Sequence, residues 1–177
     1  MVLESDEMTR RREACRLAND LMLDLVTATQ AFRTLRAAQV ERPADEPVRI
    51  GINRLCLFYV ILTLAKWIEF YDRYAVLLPA DVRDAAKDLR NEVERREIRR
   101  FRNNVVGHIW DDEENRALTN TEVEHRLAGI TGGDVAAFMN WVNSGGDNPP
   151  DAPVSVMERV KIRLIEEYEL SYDEIDA

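Results

Sequence analysis

LCLFYVILTLA, residues 55–65, is the longest apolar run in this chain of 177 residues. As a helix it rises about 16 Å, well short of the ~30 Å hydrocarbon core of a bilayer. With Thr63 inside it, the run reads as a helix buried in protein. Outward from it, helical periodicity extends over residues 48–77. Leu57, Ile61, Leu64, Ile68 and Tyr71 supply one main face. Leu55, Phe58, Leu62 and Ala65 add apolar cover around the circumference, the pattern of a central helix. This helix is the expected hub of the core.

The flanking segments supply partners for it. Upstream, Ala14, Leu17, Leu21, Leu25, Ala28, Phe32 and Leu35 recur at three- and four-residue steps, which predicts a helix over residues 6–39. ERPADEP (41–47) ends it, because each proline disfavours helix in the residue before it. Downstream, Pro79 opens a third helix, with Asp81 near the positive end of its dipole. Val82, Ala86, Leu89 and Val93 mark its buried face. Its charged later part, RNEVERREIRRFR (90–102), is expected to continue as helix. Thr119 and Glu122 form a capping box before a short helix. ITGG (130–133) is a break, DVAAFMNWVN another short helix, and SGGDNPPDAP (144–153) a surface loop. A final helix over residues 154–170 carries Val156, Val160, Leu164 and Tyr168 at helical spacing. No strand or internal repeat is expected. Residues 1–177 thus read as one all-α domain, an up-and-down helical bundle with long first three helices and shorter C-terminal ones.

Composition agrees and narrows the function classes. Apolar residues make up 46% and charged residues 32% of the chain, a globular balance. The net charge of −9 argues against indiscriminate nucleic-acid binding but leaves room for a local basic patch. MVLESDEMTRRREA lacks the apolar centre of a signal peptide. Cys15 and Cys56 fall inside helices, with no metal or disulfide spacing. A reduced, cytoplasmic protein without a membrane span is expected.

Chemistry concentrates in RRFRNNVVGHIWDD, residues 99–112. On an uninterrupted helix of about 100° and ~1.5 Å per residue, His108 shares a face with Asn104 and Phe101. Arg102 lies six residues back, roughly 120° round and ~9 Å away along the axis. The two converge if the helix breaks at Gly107, or if a second protomer crosses the first on a two-fold axis. Imidazole exchanges protons near neutrality. A guanidinium offers phosphate oxygens a planar fork of donors, and asparagine amides hold ribose or phosphate in place. Together these groups suit metal-independent RNA cleavage, in which the 2′-hydroxyl attacks the adjacent phosphorus and a cation stabilises the charge that builds there.

An arginine, a polar residue and a histidine after four to six intervening positions, at a helix end in a small all-α protein, resemble the signature of the HEPN superfamily. It stands here as Arg102-Asn103-Asn104-Val105-Val106-Gly107-His108, and FRNNVVGHIW is similar to abortive-infection-type members. The resemblance implies a helical bundle that homodimerises with its motifs facing each other. It also implies RNase activity without a cofactor, in toxin–antitoxin or phage-defence systems, with RNA as substrate and an antitoxin protein as a partner. Arg102 and His108 would be catalytic and Asn103 the polar accessory. Asn104, from its shared face with His108, and the neighbouring Arg99 and Arg100 would bind substrate. Some members keep the fold as non-cleaving RNA- or protein-binding modules.

The same stretch also has a purely structural reading. Phe101, Val105 and Ile109 are then core, Arg102 pairs with a carboxylate, and His108 sits at the negative pole of a helix. The run Arg90, Arg95, Arg96, Arg99, Arg100 and Arg102 is either a positive seam for RNA or a solvated face laced with ion pairs to Glu92, Glu94 and Glu97. HIWDDEEN (108–115) gathers carboxylates that repel one another and lacks a second histidine at ligand spacing, so no metal is expected. Glu122 and His125 form a single Glu-x-x-His unit, where a di-iron bundle needs two. His125 is expected at the surface. Trp67, Trp110 and Trp141 read as core or interface anchors.

Overall fold

A computed structural model describes residues 2–41, 46–107, 110–111 and 115–171. Helix α1 spans Val2–Glu41 and α2 Glu46–Tyr74, closed by a 3₁₀ turn at Ala75–Leu77. Helix α3 spans Ala80–Arg95 and α4 Ile98–Phe101, which runs into a π-helical turn at Arg102–Gly107. A two-residue ribbon follows, β1 (Trp110–Asp111) antiparallel to β2 (Arg116–Ala117). Helices α5 (Asn120–Thr131), α6 (Val135–Val142) and α7 (Pro153–Tyr168) complete the order. The fold is an all-α helical bundle.

Four helices close a ring, in which α1 packs on α2, α2 on α3, α3 on α7 and α7 back on α1. Each contributes the stripe its periodicity marks. Leu57, Ile61, Leu64 and Ile68 of α2 are buried, as are Leu21, Leu25, Ala28 and Phe32 of α1. So are Val82, Ala86, Leu89 and Val93 of α3, with Val156, Val160 and Leu164 of α7. Tyr168 is half-buried and donates its hydroxyl to the Leu77 carbonyl at 2.8 Å. By length and composition the wider window Ile50–Leu77 would pass for a membrane span. Its packed face belongs to the bundle core.

The structure departs from the sequence reading in four places. Helix α3 does not run on through the charged segment. A continuous helix burying Val82, Ala86, Leu89 and Val93 would turn Arg96, Glu97 and Arg100 inward next, at a cost no partner offsets. Instead Glu97 adopts a left-handed conformation (φ 57°), and the stripe resumes one step later with Ile98, Phe101 and Val105 buried. Helix α3 is therefore 16 residues long, as is α7, so the expected contrast between long early and short late helices does not extend to that pair. The β1–β2 ribbon is a strand pair where none was expected. Leu55, read as cover for a central helix, is 69% exposed, because α2 is packed on its other sides only.

The capping box forms as read. The Thr119 hydroxyl accepts from the Glu122 amide at 3.3 Å, and the Glu122 carboxylate accepts from the Thr119 amide at 2.7 Å. It anchors the helix that buries Val123, Ile130 and Thr131. Thr119→Ala is expected to cost about 1 kcal/mol, read as a lowered urea midpoint with an unchanged m-value.

Candidate functional site

The displaced stripe aims the arginines of the motif. With Ile98 and Phe101 inward, Arg99 and Arg102 share the side of the segment that faces α2. There they meet a matching pair of carboxylates, Asp72 and Glu69, also three residues apart. Arg99 donates to Asp72 at 2.8 Å and Arg102 donates to Glu69. The order runs backwards along α2 as it runs forwards along the motif, so the pairs form an antiparallel ladder between the two segments. Phe101 anchors it from below, edge-on to Phe58 of α2 at 5.8 Å.

The ladder forms one wall of an open groove of about 1010 Å³. Arg102, Asn103, Arg99, Arg73 and Lys66 bring side chains to it, with Glu69 and Asp72 between them and Leu17, Leu21 and Phe70 as its apolar floor. Arg102 keeps 32% of its side chain exposed and Glu69 keeps 58%. Arg102, Asn103 and Arg99 thus come together, as the sequence suggested. Asn104 is half-buried and is not part of the groove wall. Arg100 lines a separate small hollow with Phe101, Arg126 and Ile130, so its assignment beside Arg102 at one substrate surface is not what the fold provides. His108 lies outside the described residues, together with Ile109 and most of HIWDDEEN.

Part of the structural reading holds as well. Phe101 and Val105 are buried, and Arg102 does pair with a carboxylate. The arginine run is heavily ion-paired: Arg95 and Arg96 to Glu92 at 2.6 and 2.7 Å, Arg90 to Asp72 at 3.2 Å, Arg99 to Glu94 at 3.2 Å. Arg95 and Arg96 together hold the Glu92 carboxyl below the ordinary carboxylate range. Arg96 is drawn further from the groove by Trp141, whose ring it covers at 4.3 Å, and by the Ile130 carbonyl at 2.8 Å. The positive character of the groove therefore comes from Lys66, Arg73, Arg99 and Arg102 rather than from the whole run.

Sequence reasoning missed Glu69 and Asp72. The available signal was the shift along α2 from an apolar helix to Lys66, Glu69, Asp72 and Arg73, charges placed at three- and four-residue steps near its end. The other candidates stand apart from the groove. His125 is exposed on α5, and Glu122 is held by Arg116, well below the ordinary carboxylate range. Trp67 is fully buried, while the side chain of Trp110 lies outside those described. Burial pushes the Cys15 thiol up to about 11, which keeps it protonated and unreactive.

These features define the class of protein as an all-α bundle with an arginine-edged groove between α2 and the α4–π segment. No protein-family model and no curated protein matches the chain. Among solved structures, the integron cassette protein Vpc_cass2, from the mobile metagenome of V. paracholerae, shares the fold with a TM-score of 0.74. The match covers 88% of this chain and 96% of that one at 20% identity, a likeness of fold.

Proposed function

We propose that this chain is a HEPN-like, metal-independent endoribonuclease of a phage-defence or toxin–antitoxin system, working as a cytoplasmic homodimer. The observation that carries this reading is Arg102 with Asn103 at the rim of an open, cation-walled groove. A phosphodiester seated there would take the guanidinium fork of Arg102 on its non-bridging oxygens, with Asn103 beside it. Lys66, Arg73 and Arg99 would draw the flanking phosphates. The ribose 2′-oxygen attacks phosphorus, the 5′-oxygen leaves, and His108 exchanges a proton with one of them. The products are a 2′,3′-cyclic phosphate and a free 5′-hydroxyl.

A seam on α2 supports the homodimer. Val48, Ile52, Leu55, Tyr59 and Leu62 recur at alternating four- and three-residue steps along a face beside the α1 contact, where the Tyr59 hydroxyl donates to Asp24 at 2.7 Å. Val48, Leu55 and Tyr59 are exposed. This is the heptad spacing by which one helix packs against another, and the same face continues through Lys66 and Glu69 into the groove. A second copy on this seam would bring two grooves to one side of the dimer. Leu55→Asp is expected to convert a dimer to monomer, read by light scattering after size exclusion.

The second reading is a binding module that uses the fold without cleavage. The pairing of Arg102 with Glu69 favours it, since a structural ion pair needs no substrate. Labelled RNA incubated in chelator with wild type and with His108→Ala separates the two. Cleavage by wild type alone supports the nuclease. Equal cleavage by both marks contamination, and no cleavage with retained RNA or protein binding supports the module.

A further inference from the structure

The Arg102–Glu69 pair places a carboxylate beside the group that would hold the scissile phosphate. Cleavage through the 2′-hydroxyl needs two proton carriers, one to take the 2′ proton and one to supply the 5′-oxygen. Each protomer's motif offers one imidazole, so the second carrier is either the partner's imidazole or a carboxylate of the groove itself. The chain's other histidine, His125, is exposed on α5 away from the groove. Glu69 lies in the groove wall, more than half exposed and in contact with the Arg102 guanidinium. Asp72, three residues on, is engaged differently, since it serves both Arg99 and Arg90. Of the two groove carboxylates, Glu69 is the one with the fewer ionic partners among the described residues and the one in contact with Arg102.

We propose that Glu69 is the general base of this site, a deepening that rests on the nuclease reading. A phosphate binding along the guanidinium of Arg102 comes to lie next to the carboxylate already seated there. Glu69 takes the proton of the 2′-hydroxyl as the 2′-oxygen forms its bond to phosphorus. The bond from phosphorus to the 5′-oxygen breaks, and His108, as imidazolium, gives that oxygen its proton. The cycle closes when water carries the proton from Glu69 back to the imidazole. No metal, oxidant or second substrate enters the balance. Arg102 serves both partners, first by orienting Glu69, then by stabilising the charge on phosphorus.

The test compares wild type, Glu69→Gln, Glu69→Ala and Glu158→Gln on labelled RNA in chelator, and their affinity for the same sequence carrying 2′-deoxy sugars. A base predicts that Glu69→Gln and Glu69→Ala lose cleavage alike, by ~10²–10⁴-fold. Affinity for the deoxy strand should hold or tighten as a negative charge leaves the groove. Glu158→Gln, which removes an equal charge from the exposed face of α7 away from the groove, should stay within about threefold of wild type. If Glu69→Gln cleaves as wild type does, or faster, the carboxylate only competes with phosphate for Arg102 and the proposal falls while the nuclease stands. A Gln variant that retains activity where the Ala variant loses it assigns Glu69 a positioning role and also overturns the base. Wild type that cleaves nothing overturns the nuclease reading and this one with it. Circular dichroism and thermal melts check that the exposed substitutions leave the fold intact.

Discussion

Arg102→Ala is expected to lower RNA cleavage by at least ~10²–10³-fold, the usual loss when one preorganised donor to a transition-state oxyanion is removed. The loss should fall mainly on kcat, because the charge on phosphorus peaks in the transition state and Lys66, Arg73 and Arg99 still hold the flanking phosphates. Arg102→Lys should recover only part of it, since an ammonium keeps the charge but loses the planar fork. Binding of a 2′-deoxy strand should weaken modestly, with the salt slope reduced by about one. Stability should change by less than about 1 kcal/mol, as the pair with Glu69 is solvent-accessible on both sides. An Arg102→Ala protein that folds and cleaves at the wild-type rate would remove the motif from the chemistry.

Trp67→Ala carries the largest expected effect on stability, about 3–5 kcal/mol. Trp67 is fully buried in the C-terminal third of α2 and stacks on Phe70, with ring centroids 4.9 Å apart and planes 22° from parallel. Truncation would open a cavity among residues held by neighbouring helices, which limits how far the site can collapse. A domain of this size is stable by only about 5–15 kcal/mol, so a large share of the protein would unfold near physiological temperature. Trp67→Phe should be far milder than its volume change suggests. The indole nitrogen is buried with no hydrogen-bond partner among the described residues, and phenylalanine removes that unsatisfied donor along with the lost volume. Urea denaturation of the three proteins should give midpoints in the order wild type, Phe, Ala. Equal midpoints for wild type and Trp67→Ala would mean that α2 is not the packed centre.

Much of the bundle was legible because burial on a helix has a local period. Val82, Ala86, Leu89 and Val93 could be read as one face without knowing what they face, and all four are buried. The same holds for Val156, Val160 and Leu164 of α7, and for the Thr119 capping box, whose partners are three residues apart. The break at Glu97 was half-legible. The stretch from Glu94 to Glu97 holds no apolar residue to continue the stripe, yet its charges also read as an ordinary helical surface. Of the candidate site, Arg102, Asn103 and Arg99 could be picked out by residue type and spacing. Arg100 was grouped with them as one run of arginines, but two residues before Arg102 it stands about 200° round the helix, at the hollow lined by Arg126 and Ile130.

The sequence by itself determined the helices, their inward faces and the motif, since each depends on residues within two or three turns of one another. Only tertiary structure decided which carboxylates the motif meets and which apolar residues stay uncovered. Glu69 lies 33 residues from Arg102 and Asp72 lies 27 from Arg99, distances over which no periodicity carries information. Leu55 and Ile61 look alike in sequence. One is exposed and the other buried, because helices α1 and α3 pack against only part of the circumference of α2.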